Sequence, residues 1–171
     1  MLIIRPETAQ DYALISQIND LAFGQKNESR LVENLRRNKK FISRLSPVAQ
    51  LDNEIVGHIL FFTLTIKNQP YEYESVALPP IAVLPAYQRR AIGSALIHAG
   101  LAQCRREGFC SVIVLGHPEY YPRFGFRRAS TWKISAPFDV PEEAFMAMEP
   151  TENGLINVQG SVVYPDEFRE V

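Results

Sequence analysis

A chain of 171 residues is long enough to bury one core without disulfide or metal staples, so a single domain over residues 1–171 is expected. With 46% hydrophobic residues, 22% charged residues and a formal net charge of −1, the composition excludes disordered, collagen-like and solenoid classes. The same balance gives no field that would draw the chain onto nucleic acid or an anionic membrane, so neither is an expected partner. The start, Met1-Leu2-Ile3-Ile4-Arg5-Pro6, lacks the charged beginning and apolar stretch of a signal peptide, and no apolar run approaches about 18 residues. A cytoplasmic location is the expectation. Cys104 and Cys110 have no CxxC or CxxH spacing and read as small buried residues, and His58, His98 and His117 are scattered, so no metal is expected.

Leu2 to Arg5 reads as a first strand stopped by Pro6, and Thr8-Ala9-Gln10-Asp11 has the form of a capping box opening a helix that ends near Phe23. Residues 28–38 repeat the helical pattern through Leu31, Val32 and Leu35, and the basic run Arg36-Arg37 with Lys39-Lys40 reads as a solvated helix end. Residues 48–51 and 55–66 flank the turn-former Asp52-Asn53-Glu54 and predict an antiparallel hairpin, with a second turn at Asn68-Gln69-Pro70. Residues 75–84 form the next strand, which Pro79-Pro80 must interrupt because proline has no N–H to give a ladder. Ile92, Ala95, Leu96, Ala99 and Ala102 then place a helix over residues 87–107, stopped by Gly108. Residues 111–115 are a short apolar strand, completing a strand–helix–strand crossover. Beyond it lie an aromatic turn at 118–124 and closing strands near 127–135, 145–148 and 157–163. The fold class is α/β (α+β).

Residues 79–94 combine an interrupted strand, a polar basic loop and the start of a long helix, and together these describe a phosphate site. A helix start presents unpaired amide donors and a partial positive charge, worth about 0.3–1 kcal/mol toward an exposed anion. Arg89 and Arg90 add formal charge, and Gly93 lets the backbone approach a ligand. Neither GxxxxGK[ST] nor GxGxxG is present, so nucleotide hydrolysis and hydride transfer lack their usual phosphate grips.

The run Ile81-Ala82-Val83-Leu84-Pro85-Ala86-Tyr87-Gln88-Arg89-Arg90-Ala91-Ile92-Gly93-Ser94 resembles motif A of the GNAT superfamily of N-acetyltransferases, [Q/R]-x-x-G-x-[G/A]. Tyr120-Tyr121-Pro122-Arg123-Phe124-Gly125-Phe126 resembles the superfamily's aromatic segment, and Gly116 to Tyr121 resembles its bacterial YhbS-like branch. The resemblance implies the acyl-CoA N-acyltransferase fold: a mixed, mostly antiparallel twisted sheet with a splayed central strand pair, flanked by helices. It also implies an N-acetyltransferase with acetyl-coenzyme A as co-substrate. Ile81, Ala82 and Val83 would pair with the pantetheine arm, with the Val83 amide holding the developing oxyanion. Gln88, Arg89, Arg90, Ala91, Ile92, Gly93 and Ser94 would bind the pyrophosphate, and Tyr121 would contact the cofactor and protonate the departing thiolate. Transfer to a primary amine would be direct, in a ternary complex, leaving both cysteines without a nucleophilic role. Two departures stand out: Ala91 occupies the first glycine position, which would weaken binding without abolishing it if its dihedrals are helical, and Leu115-Gly116-His117-Pro118 replaces the usual asparagine-alanine pattern.

Tyr121 also sits among Tyr120, Phe124 and Phe126, where packing is the alternative reading. Glu28, Glu74, His117 and Glu119 are the general-base candidates, with a water chain as the alternative, and Trp132 and Phe138 are candidates to line an acceptor pocket. A non-catalytic acyl-CoA-binding sensor is the second function reading. The acceptor, a small-molecule or a protein amine, the acyl chain length and the oligomeric state, a homodimer among the options, stay open.

Overall fold

The computed structural model describes residues 1–169, and its contacts divide the chain into two compact units. The first unit comprises Met1–Phe62, Pro79–Gln103 and the segment from Asp166; the second comprises Thr63–Leu78 and Cys104–Pro165.

In the first unit, strands β1 (Leu2–Pro6), β2 (Pro47–Leu51), β3 (Glu54–Ile59) and β6 (Ile81–Val83) form an antiparallel sheet in that order. Pro6 is the last residue of β1 and lies opposite Pro47, so both prolines sit where a missing N–H costs the ladder least. The β2–β3 turn is made by Asp52 and Asn53, both left-handed (φ 48° and 71°), the hand that a tight hairpin requires.

Two helices cover one sheet face. Helix α1 (Tyr12–Phe23) grows out of a 3-10 turn whose Thr8 N–H donates to Asp11 Oδ2 at 2.8 Å, the capping box the sequence predicts. It ends at Gly24 (φ 68°), whose N–H returns to the Asp20 carbonyl. Helix α2 (Asn27–Arg36) follows at once, and Ile15, Ile18, Leu31, Val32 and Leu35 are buried with Val48, Leu60, Phe62 and Ala82. Each of the branched aliphatic and phenyl side chains among them contributes about 1.5–3 kcal/mol through burial. Arg36 departs from the expected solvated run: its guanidinium binds both oxygens of buried Glu7 at 2.9 Å and lies 3.8 Å over the Tyr12 ring. Beside this pair, fully buried His58 meets Ser46 Oγ at 2.8 Å, and among the described residues its Nδ1 has no hydrogen-bond partner. Burial, with Arg36 adding to it, pushes the His58 pKa down to about 3.

Helix α3 (Ile92–Arg106) begins in the first unit. Two glycines explain its fit there. A Cβ on Gly100 would stand 2.0 Å from the Phe61 ring, and one on Gly57 would stand 3.1 Å from Leu96.

The second unit is built on strands β4 (Phe62–Asn68), β5 (Tyr71–Ala77), β7 (Val112–Leu115), β8 (Arg127–Arg128), β9 (Ile134–Ser135), β10 (Phe145–Met148) and β11 (Gly160–Val163), in the order β8-β10-β7-β5-β4-β11-β9. Parallel pairs β5–β7 and β9–β11 stand among antiparallel ones, so the expected mixed, mostly antiparallel α/β character is met. Ser75 Oγ, buried, donates to the Ser111 carbonyl at 3.1 Å and ties β5 to the start of β7.

Several boundaries differ from the sequence expectation for identifiable reasons. Residues 55–66 are two strands, because the Phe61 N–H turns away to the Leu45 carbonyl at 2.8 Å. Residues 75–84 break at Pro79-Pro80 as expected, although β5 starts earlier, at Tyr71. The β5–β7 ladder runs through Ala77 opposite Ile113, and after Pro80 the chain pairs with β3 instead. The helix expected over 87–107 starts only at Ile92, because positive φ at Arg89 and Ala91 is incompatible with helix. The strand near 127–135 is two short strands around a 3-10 turn (Ala129–Trp132), and the one expected from 157 starts at Gly160, since Asn157 is left-handed.

Candidate active site

Strand β6 is an edge strand whose ladder partner is β3. The Leu60 N–H donates to the Pro80 carbonyl at 3.2 Å and the Leu84 N–H donates to the Val56 carbonyl at 2.9 Å. In an antiparallel ladder, backbone groups that face the partner alternate with groups that face away. Residues 80, 82 and 84 therefore point toward β3, and the N–H and C=O groups of Ile81 and Val83 point outward. Of the three residues, Ala82 is buried on the α1/α2 side, while Ile81 and Val83 are partly exposed.

The chain leaves β6 through a 3-10 turn (Pro85–Tyr87) and four non-helical residues, 88–91. Gln88 is extended (φ −67°, ψ 157°), and its Nε2 turns back to donate to the Val83 carbonyl at 3.0 Å. The Tyr87 hydroxyl donates to Glu54 Oε2 at 3.0 Å, which raises the phenol pKa and ties the turn to the β2–β3 hairpin. The Arg90 guanidinium lies 5.3 Å from the Tyr87 ring centre, and both Arg89 and Arg90 are exposed. Neither tie was foreseen from sequence, and a contact spanning 33 residues, such as Tyr87 to Glu54, leaves no local signal to find.

Arg89 and Ala91 have φ of 63° and 62°. Alternating hand turns successive N–H groups toward one side, the geometry of an anion-binding nest. For Ala91 this overturns the helical dihedrals on which its tolerance was premised: the methyl sits in the region that favours glycine, at a cost of about 1–2 kcal/mol. The bond that opens α3 runs from the Ala95 N–H to the Ala91 carbonyl, at 3.0 Å. The amides of Ile92, Gly93 and Ser94 precede it and have no acceptor within the helix. Outward strand edge, nest and helix start thus follow one another within fourteen residues, from 81 to 94. They can pair with an extended amide-bearing chain and hold a diphosphate after it.

Tyr121 belongs to the second unit, at the head of a 3-10 turn (Tyr121–Phe124) closed by Gly125 with φ 98°. Its backbone N–H reaches the His117 carbonyl, and its ring meets Tyr120 at 5.2 Å and Phe126 at 5.6 Å, both edge-on. Gly116 leaves the ring its room, since a Cβ there would lie 2.4 Å from Tyr121 Cε2. Among the described residues the Tyr121 hydroxyl has no hydrogen bond, and burial, with Tyr120 adding to it, pushes its pKa up to about 12. The ring is therefore core, and the phenol stays protonated at neutral pH.

The base candidates differ in their surroundings. Glu28 accepts from Gln25 Nε2 at 2.8 Å in the first turn of α2, while Glu74, His117 and Glu119 are exposed. Trp132 lines a cavity of about 400 Å3 with Lys133, Asn153, Asn157 and Gln159, whereas Phe138 lies outside it, stacked on Tyr164 at 6.0 Å. Cys104 is buried, which pushes its pKa up to about 12, but Cys110 is exposed, against expectation. Among the described residues no group of three His, Cys, Asp or Glu side chains is placed to hold a metal ion, and no helix is long and apolar enough to cross a membrane.

Residues 14–126 match the Acetyltransferase (GNAT) family. Among curated proteins, the chain is 37% identical over 134 residues to the uncharacterized N-acetyltransferase YjhQ of Escherichia coli, covering 78% of this chain and 74% of YjhQ. It is 25% identical to the uncharacterized N-acetyltransferase YhbS of the same organism over 98% of both chains. Among solved structures, YhbS in complex with CoA superposes with a TM-score of 0.90, at 27% identity, over 98% of this chain and 92% of that one. A GNAT family acetyltransferase from Brucella melitensis in complex with acetyl-CoA gives a TM-score of 0.78 at 32% identity over 98% of both chains.

Proposed function

We propose that this chain, which belongs to the Acetyltransferase (GNAT) family, moves the acetyl group of acetyl-coenzyme A directly to a primary amine in a ternary complex. It is an N-acyltransferase, and acetyl-coenzyme A is its co-substrate. The observation that carries the finer reading is the outward edge of β6 running into the open amides at the start of α3.

In this reading residues 1–171 work as one domain, a view supported by a family match that runs through segments of both units. Ile81 and Val83 pair with the pantetheine arm through their outward backbone groups, and Ala82 holds the strand down by its burial. The amides of Ile92, Gly93 and Ser94, with the nest at Arg89 and Ala91, take the pyrophosphate, and the Arg89 and Arg90 side chains add charge from solvent. Gln88 contributes through its tie to Val83. The bound thioester supplies an activated carbonyl carbon. The Val83 N–H stabilises the oxyanion that develops when the amine lone pair attacks it. Tyr121 gives its phenolic proton to the sulfur as the C–S bond breaks, and the attacking nitrogen loses its proton to water or to one of Glu28, Glu74, His117 and Glu119. A phenol held near 12 is protonated at any physiological pH, as a donor must be. The acceptor is a small-molecule or protein amine, and the setting is the cytoplasm.

Thiol release from acetyl-coenzyme A across a library of polyamines, aminoglycosides, amino acids and peptide N-termini tests the reading, with coenzyme binding measured alongside. Release with at least one amine is expected, in initial-rate patterns that intersect. Binding without release from any amine would overturn direct transfer, as would parallel patterns, which report an acyl-enzyme.

A further inference from the structure

The second unit holds a cavity for which the mechanism above has no use. Its volume of about 400 Å3 falls in the range of about 300–1,000 Å3 in which small molecules are held. Trp132, Lys133, Asn153, Asn157 and Gln159 converge on it, and among the described residues none of these five side chains makes a hydrogen bond. Glu149 lines it too, with Oε2 accepting from the Leu155 N–H at 3.0 Å. The surrounding backbone is tied down. Leu155 is buried, a Cβ on Gly154 would stand 2.1 Å from the Cys110 carbonyl oxygen, and the Gly160 N–H donates to the Lys133 carbonyl at 3.1 Å. Lys133, Asn153 and Asn157 are all left-handed, with φ of 56°, 58° and 62°. Asparagine enters that region readily, whereas lysine does so at a cost that its surroundings must hold in place.

We propose that this cavity binds a neutral saccharide, with a C–H face of the sugar ring on the Trp132 indole and its hydroxyls on the carboxamides of Asn153, Asn157 and Gln159. Lys133 brings one positive charge and Glu149 one negative charge, so the lining favours neither an anion nor a cation. A carboxamide both donates and accepts, and so does a hydroxyl, so three carboxamides suit a ring that carries hydroxyls around its rim. The half-buried indole supplies an apolar face and an N–H donor, and the Arg127 guanidinium lies over its ring at 5.5 Å, so it is braced without being sealed in a core. A nucleobase would also stack, but its edge has too few polar atoms for three carboxamides, an ammonium and an indole N–H. None of these residues is assigned to acetyl-coenzyme A, so the proposal stands apart from the acetyl-transfer reading.

Trp132 is the only tryptophan in the chain, so tryptophan emission reports on this cavity alone. The full chain is titrated with the methyl glycosides of glucose, galactose and mannose and with N-acetylglucosamine, against glycerol, adenosine and glycine as controls. A saturable change in emission is expected with at least one sugar, with a Kd on the order of 1 mM, and none with the controls. Asn157→Gly keeps the left-handed backbone and removes one carboxamide, and Gln159→Ala removes another. Each is expected to weaken the best sugar about fivefold, as the loss of one neutral hydrogen bond would, while melting stays within about 2 °C of wild type. No saturable response to any sugar up to about 50 mM overturns the site, as does a response that glycerol reproduces. Saturation by adenosine or glycine without saturation by a sugar overturns the ligand class. A sugar response left unchanged in the Asn157→Gly/Gln159→Ala double variant overturns the carboxamide contacts.

Discussion

The outward edge at residues 81–94 and the corner around Tyr121 are built on opposite principles. The first is made of backbone: Ile81 and Val83 present main-chain groups, the start of α3 presents amides, and the long side chains of Arg89 and Arg90 stand in solvent. The second is made of side chains: Tyr121, Tyr120, Phe124 and Phe126 pack edge-on, with the Tyr121 ring against Gly116, and in the proposed reading one phenol is the acid. A backbone site tolerates changes of residue type as long as its dihedrals are kept. A side-chain site does not, because a single atom can be the function.

The largest effect expected of this contrast is at Tyr121. Tyr121→Phe removes one oxygen and should lower kcat by about 10²–10⁴, the range for a positioned proton donor, while melting shifts by less than about 2 °C because the hydroxyl makes no hydrogen bond among the described residues. With the phenol as the proposed acid and its pKa pushed up to about 12, the wild-type kcat should show no alkaline decline below about pH 10. A decline centred lower, or an active Phe variant, breaks the comparison at its side-chain end.

His58 sharpens the other end, since it is paired in register with Ala82 and lies under the backbone edge. Its folded pKa of about 3 is below the ordinary 6.5, so the unfolded state binds the proton first. The stability contributed is complete above about pH 6.5 and is lost as pH falls toward 3, at up to about 1.4 kcal/mol per pH unit. Chemical denaturation of His58→Asn at several pH values should show lower stability at pH 7.5 but a shallower fall between 6.5 and 4; an unchanged slope would remove His58 from the account.

Two single-methyl changes then compare the sites directly. Adding one at Gly116 drives a Cβ to 2.4 Å from the Tyr121 ring, so Gly116→Ala should cost about 1–3 kcal/mol in stability and lower kcat at unchanged coenzyme affinity. Removing one at Ala91 relieves a left-handed alanine (φ 62°). After the added freedom of the unfolded glycine is subtracted, Ala91→Gly should stabilise by about 0.5 kcal/mol, about 1–2 °C in melting, and tighten coenzyme binding slightly. Loss of stability at 91, or none at 116, would erase the contrast.

Much of this architecture is legible in the residues. The interrupted strand at Pro79-Pro80, the basic loop and the helix behind it could be placed because proline, charge and apolar spacing are local signals. What could not be read depends on distant or unsigned partners. Leu60 and Phe61 are apolar like their neighbours, so nothing marks the break between β3 and β4 that the Leu45 carbonyl imposes. Alanine favours helix, so Ala91 hides its left-handed backbone and moves the apparent helix start back to 87. Arg36 looks like a member of a solvated run, and only the buried carboxylate of Glu7 shows that it is not. At Tyr121 the sequence offers packing or catalysis as alternatives, although a ring can be buried while its hydroxyl makes no hydrogen bond among the described residues.

The central claim is that the outward backbone of β6 and the first amides of α3 receive acetyl-coenzyme A. Titrating 15N-labelled protein with acetyl-coenzyme A and following each backbone amide tests it directly. The account predicts the largest shifts at Ile81, Val83 and residues 90–94, with Val83 moving downfield and Ala82, whose groups face β3, moving little. Large shifts confined to other strands, with Val83 and Gly93 unmoved at saturation, would contradict it.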